Sequence, residues 1–232
     1  MRGVRAGAKT SGIKTGRKTM GVKIYGVLRS RATRPVWAAK ELGIAYEQIP
    51  VIQVYRLPDP NAPGAPMHTA SPAFLAVNPA GQVPTMDDDG FVLHESLAIA
   101  LYLARKAGGP LAPKDERENA AMVQWALWAA TSAEPKTLAI MQNPAGSDVR
   151  QASIDGLARP FAALDKALAA GGGWLVGGRF TVADINVAEV IRYAQPATAL
   201  IDAYPNIKAW IGACQARPAF KEMMAERDQE PA

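Results

Sequence analysis

Strand-like segments in this 232-residue chain end near residue 108, and helical periodicity takes over from there. That asymmetry constrains the fold more than any other feature. A layered α/β part and an all-helical part must follow one another along one chain. In the first part, Val22–Tyr25 alternates around Ile24 and stops at Gly26, as a short strand does. A helix is expected over about Ala32–Leu42, closed by Gly43, and a second strand over Ala45–Val51. The Pro/Gly-rich stretch Arg56–Thr69 reads as a loop, and Ser71-Pro72 opens a short helix through Val77. Val83–Met86 and Phe91–Leu93 flank an acidic turn as a hairpin, and Glu95–Lys106 follows as a helix. The order βαβ then ββα predicts a four-stranded mixed sheet with helices on its faces. Beyond Pro110–Pro113, helices are expected over Asp115–Gln142 (kinked by Pro135), Ser147–Ala170, Phe180–Ala194 and Pro205–Arg217.

Charge narrows the function classes only once its location is considered. The formal net charge is +5. Six of the basic residues, Arg2, Arg5, Lys9, Lys14, Arg17 and Lys18, lie ahead of Met20; without them 20 basic residues face 21 acidic ones. Residues 1–21 are therefore expected to form a basic disordered extension, and the remainder has no global basic character that would mark a nucleic-acid binder. No apolar run reaches the ~18 residues a membrane span needs, so a soluble protein without a membrane partner is expected. The single cysteine, Cys214, excludes an intrachain disulfide, and His68 and His94 are too few for a typical zinc site. No metal is expected, and the cytoplasm is the default location.

Three blocks carry the chemistry. They are Tyr25-Gly-Val-Leu-Arg-Ser-Arg-Ala-Thr-Arg34, Asn78-Pro-Ala-Gly-Gln-Val-Pro-Thr85, and Glu95-Ser-Leu-Ala-Ile99. A helix that starts at Glu95-Ser96 directly after a strand presents free N–H groups and a positive dipole end, which attract carboxylates; an ordinary helix cap is the alternative. Val83-Pro84 suits a tight turn, where X–Pro bonds adopt the cis form; a trans proline opening a strand is the alternative.

In this order and spacing, the blocks resemble the glutathione S-transferases, specifically the serine-type members of the phi and theta classes, over Val22 to about Arg227. The resemblance implies a thioredoxin-like glutathione-binding domain at 22–107, a linker at 108–114 and an all-helical domain at 115–228. It implies that Val83 offers its main chain to the tripeptide and Pro84 forms the cis turn. Gln82 binds the same peptide, and Ser96 and Glu95 hold the γ-glutamyl carboxylate and ammonium. His68 lies in the loop where such proteins place a basic residue against the glycyl carboxylate; a solvated loop histidine is the alternative. Ser30 is the expected thiol activator, donating its hydroxyl hydrogen to the sulfur at a helix start. The gap from Ser30 to Arg34 is one residue shorter than in the phi pattern, which leaves Thr33 or Arg29 as alternatives and a plain cap as the structural reading of Ser30.

Trp125 and Trp128 are candidates for the electrophile pocket or for the core. Phe180-Thr-Val-Ala-Asp-Ile185 reads as a capping box with a hydrophobic staple, so Asp184 serves folding. Cys214 reads as a buried hydrophobe. The implied activity is conjugation of the glutathione thiolate to a hydrophobic electrophile by a cytoplasmic detoxification enzyme. Glutathione acts as cosubstrate and a two-fold homodimer is the expected assembly. Glutathione-dependent peroxidase or dehalogenase chemistry and a non-catalytic binding protein are the rivals.

Overall fold

The computed structural model describes residues 21–230, so nearly all of the expected basic extension lies outside the described residues. The sheet is built from β1 (Val22–Tyr25), β2 (Tyr46–Ile49), β3 (Thr85–Asp88) and β4 (Phe91–His94), in the order β2-β1-β3-β4. β1 runs parallel to β2 with Val22 opposite Tyr46, and antiparallel to β3 with Ile24 opposite Met86. β4 pairs antiparallel to β3 across the acidic turn. A parallel neighbour requires a crossover, and α1 (Thr33–Leu42) supplies it. Gly43 ends that helix at φ 64°, where its N–H reaches Ala39 and Lys40 carbonyls. This is the left-handed stop that glycine tolerates best.

Alternation along β1 sends its residues to two cores. Val22 and Ile24 join the large core under α1 and α3 (Ser96–Ala107), whereas Tyr25 joins Val51 and Phe74 on the opposite face, beneath α2 (Pro72–Leu75). α1 and α3 pack together with Ala38, Ala39, Ala100 and Ala104 all fully buried, small side chains that let the helix backbones approach closely.

After α3 the described chain is helical: α4 (Glu116–Trp128), α5 (Glu134–Gln142), α6 (Asp148–Asp155), α7 (Ala158–Ala170), α8 (Val182–Ile191), α9 (Thr198–Asp202), α10 (Pro205–Gln215) and α11 (Pro218–Gln229). Two expected helices are divided. Between α4 and α5 a π-helical turn, Ala129–Ala133, inserts just before Pro135; the proline lacks an N–H, and the wider turn accommodates its ring where a regular helix would clash. The expected helix over Ser147–Ala170 breaks at Gly156-Leu157, which leaves Pro160 in the first turn of α7, where no intrahelical N–H bond is lost. α9 and α11 are additional to the sequence expectation. No helix among the described residues is long and apolar enough to cross a membrane.

The two parts meet around Trp37 of α1. It is fully buried, with Phe180 at 6.1 Å and Phe220 at 4.8 Å between ring centroids. Arg217 lies 3.8 Å over the Phe180 ring while binding both oxygens of Glu41 at 2.7 Å. Arg179 ties the connection between the parts to the bundle: it donates to the Pro110 and Ala112 carbonyls and to both Glu118 oxygens.

At the start of α8, Asp184 Oδ2 accepts the Thr181 N–H at 2.8 Å, and Oδ1 accepts from Trp210 Nε1 at 2.9 Å and the Leu175 N–H at 3.1 Å. Burial pushes the Asp184 carboxyl up despite these donors. Asp184→Ala is expected to cost about 3 kcal/mol or more, because a helix cap and two further buried donors are lost at once; urea unfolding measures it. The hydrogen bonds from Arg179 hold the Glu118 carboxyl down at about 2, against an ordinary 4.5. An acid whose pKa falls on folding adds stability that is complete above its unfolded value and disappears as pH drops through the folded one. The stability gap between the wild type and Arg179→Gln should therefore narrow between about pH 5 and pH 2, as followed by urea titrations across that range.

Candidate active site

A cavity of about 960 Å³ opens between the β3 end of the sheet, the start of α3 and the α4–α5 helices. Ser30, Gln82, Val83, Pro84, Glu95 and Ser96, which lie far apart in sequence, all line it. The Val83–Pro84 peptide bond is cis. The Val83 N–H and C=O carry no hydrogen bond among the described residues, so the main chain beside β3 is an open edge to which an extended peptide can pair. The turn behind it is rigid. Asn78 Nδ2 donates to the Gln82 carbonyl at 3.1 Å and to Thr85 Oγ1 at 2.9 Å, and Thr85 Oγ1 donates to the same carbonyl at 3.0 Å. Gly81, at φ 61°, passes so close to Thr69 that an added Cβ would lie 2.8 Å from its carbonyl oxygen.

Glu95 stands at φ 71°, ψ 105° immediately before α3. A non-glycine residue held there costs on the order of 1–3 kcal/mol, a kind of strain that clusters at functional sites. The conformation hands the chain from β4 to α3 without a linker. The first-turn N–H groups of α3, which have no intrahelical acceptors, thus lie at the cavity wall with Ser96, Leu97 and Ala98. Ser96 Oγ accepts from Arg34 Nη1 at 2.9 Å, which leaves its own hydrogen available for an anion.

Ser30 sits in the turn between β1 and α1. Its Oγ donates to the Val27 carbonyl at 2.6 Å and accepts the Ala32 N–H at 3.0 Å. That turn is held by the far end of the chain: the two Glu230 carboxylate oxygens accept the Leu28 and Arg29 N–H groups at 2.7 and 2.9 Å, and Arg29 Nε donates back to the Glu230 carbonyl at 3.0 Å. Thr33, the first alternative activator, is fully buried with its hydroxyl on Glu189 and the Ser30 carbonyl. Arg29, the second, is not among the cavity residues.

The floor is a buried charge cluster. Glu134 accepts from Arg34 at 2.8 and 3.2 Å and from Arg31 Nε at 2.5 Å. Burial alone would raise the Glu134 carboxyl, but the two guanidiniums hold it below the ordinary range. Behind it, Glu189 is fully buried against Arg192 and Thr33; there too burial pushes the carboxyl up and Arg192 pulls it down further. Sequence reasoning missed Glu134. The available signal was an acid placed directly before an interior helix proline.

Several expected residues fall elsewhere. His68 is buried outside the cavity: Nδ1 accepts the Ala70 N–H at 3.2 Å, so Nε2 carries the hydrogen and donates to the Pro60 carbonyl at 3.1 Å. Both nitrogens brace the loop, and Thr69 and Gln53 line the cavity instead. Trp125 and Trp128 meet edge-to-face at 5.2 Å and pack on the hydrophobic core, while Val123, Ala126, Leu127 and Ala130 of the same stretch face the cavity. Cys214 is buried in α10, which pushes its thiol well up.

Residues 30–106 match the family model for the glutathione S-transferase N-terminal domain, and residues 147–213 that for the C-terminal domain. Glutathione S-transferase 1 of Zea mays is 31% identical over 220 residues, covering 88% of this chain and 96% of that protein. Elongation factor 1-gamma of Danio rerio is 32% identical over 167 residues, 67% of this chain but only 36% of that protein. Among solved structures, maize glutathione S-transferase I in complex with an atrazine glutathione conjugate superposes with a TM-score of 0.75 at 26% identity, over 91% of this chain and all of the other. With a mixed four-stranded sheet, a cis-proline edge and a helix start converging on one cavity, and with a relative this similar over nearly its full length, the chain belongs to the glutathione S-transferase family.

Proposed function

We propose that the cavity binds glutathione and conjugates its sulfur to an electrophilic small molecule. The observation that carries this reading is the convergence of Ser30, Gln82, Val83, Glu95 and Ser96 on one cavity wall. The γ-glutamyl carboxylate takes the α3 N-terminus and the Ser96 hydroxyl, and its ammonium pairs with Glu95. The cysteinyl main chain pairs with Val83, Gln82 adds a side-chain hydrogen bond, and the glycyl end lies toward Gln53 and Thr69. This run sets the sulfur beside Ser30. A free thiol near pKa ~8.5 is mostly protonated at neutral pH. Ser30 turns its hydrogen from the Val27 carbonyl to the sulfur and favours the thiolate. The thiol proton leaves to solvent, the sulfur forms a bond to the electrophilic carbon, and the leaving group departs with its electron pair. Holding both reactants in one cavity supplies the remaining acceleration. The same reading assigns a division into domains at 22–107 and 115–228, a cytoplasmic detoxifying role, and a two-fold homodimer.

A second reading has one observation in its favour. The Ser30 hydroxyl already has a donor and an acceptor within its own turn, as it would in a binding protein that has no turnover. Ser30→Ala separates the two. Under the conjugation reading, kcat/KM for a model aryl halide falls about 100-fold and the pKa of the bound thiol, read from thiolate absorbance, rises by about one unit, while calorimetric affinity for glutathione changes little. Unchanged rate and thiol pKa would remove Ser30 from the mechanism. Ser96→Ala is expected to weaken glutathione binding about tenfold, the size of one hydrogen bond to a charged group; calorimetry checks it, and an unaltered affinity contradicts the assigned γ-glutamyl pocket.

A further inference from the structure

The charges under the cavity do not cancel. One carboxylate, Glu134, is shared by two guanidiniums, Arg31 and Arg34. Adding the neighbouring Glu189–Arg192 pair leaves the surplus at one positive charge. Arg34, Glu189 and Glu134 are almost fully enclosed, whereas the Arg31 side chain is 45% exposed and lines the cavity directly after Ser30. Glu134 takes only the Nε of Arg31; its two terminal nitrogens have no partner among the described residues. The guanidinium is thus anchored at one edge and open at the fork that binds carboxylates in bidentate fashion. Ala130, Pro135 and Leu138 form an apolar wall on the same side as Glu134. Of the other carboxylates, Glu95 lines the cavity at the start of α3, beside the Ser96 that Arg34 holds, and Glu230 lies on Leu28 and Arg29.

We infer that Arg31 makes this an enzyme for acidic electrophiles: a flat apolar body bearing a carboxylate that docks on the Arg31 fork while its reactive carbon faces the sulfur held at Ser30. This rests on the conjugation reading and narrows it to a substrate class. For 4-chloro-3-nitrobenzoate, the thiolate sulfur bonds to the chlorine-bearing carbon, chloride leaves with the bonding pair, and the thiol proton passes to solvent. The carboxylate takes no part in the bond change and serves to hold the ring. Arg31 is therefore a specificity residue and does no bond chemistry itself.

The test uses binding, so it does not depend on turnover. Two glutathione conjugates, one made from 4-chloro-3-nitrobenzoate and one from the matching carboxamide, differ in charge and hardly in shape. Titrated calorimetrically into the full chain, the carboxylate conjugate is expected to bind about tenfold more tightly than the carboxamide. Arg31→Gln should abolish that preference, with the carboxamide conjugate and glutathione itself marking intact folding. Equal binding of the two conjugates by the wild type, or a preference that survives in Arg31→Gln, overturns the inference. So does failure of both conjugates to bind where glutathione still does. Loss of glutathione binding by folded wild-type chain instead strikes the conjugation reading, and the inference falls with it.

Discussion

Glu134 joins three parts of the molecule with one carboxylate. It reaches from the start of α5 to Arg34 inside α1 and to Arg31 in the turn before it, and through Arg34 it is connected to Ser96 at the head of α3. Buried pairs of this sort add little net stability compared with a well-packed apolar core. Their value lies in the cost of breaking them, since either partner alone would be an uncompensated buried charge. The arrangement therefore specifies a geometry more than it adds free energy. The helical half cannot shift on the sheet half without stranding a guanidinium, and the cavity walls keep their spacing for the same reason.

Much of the architecture was legible because its signals are local. Alternation in Val22–Tyr25, the glycine stop at Gly43, the Asp87-to-Gly90 turn and the Thr181-to-Asp184 box are each written within a few residues, and each element appears where those signals stand. The strand ends shifted by one or two residues because pairing register decides them. What could not be read was cooperative. Whether Pro135 kinks one helix or separates two depends on how the chain absorbs an extra residue, and the answer was the π turn. The break at Gly156 was equally hidden, since the apolar stripe continues from Ile154 through Leu157 to Phe161 with no change of period.

The site divides along the same line. Val83, Glu95 and Ser96 were legible as cavity residues because an open edge and a helix start are implied by the local sequence. Glu134, Gln53 and Thr69 reach the cavity only through tertiary packing. His68 lies outside the cavity. Its position in the loop suggested a cation for a carboxylate, yet a longer, proline-rich loop needs internal hydrogen bonds, and the imidazole provides them. The tryptophan pair lies off the cavity for a geometric reason: Met122, Ala126, Ala129 and Ala133 form the buried side of this stretch, Trp125 and Trp128 are half-buried beside it, and Val123 and Leu127 line the cavity.

The grip of Glu230 on the turn carrying Ser30 joins residues separated by about two hundred positions in the chain. The two N–H groups it takes have no acceptor inside the turn, so the loop carrying Ser30 is completed by the residue that follows α11. A pull on α11 would reach that carboxylate first. Any slack it introduced would be felt in the turn that carries Ser30 before it was felt in the sheet or the bundle.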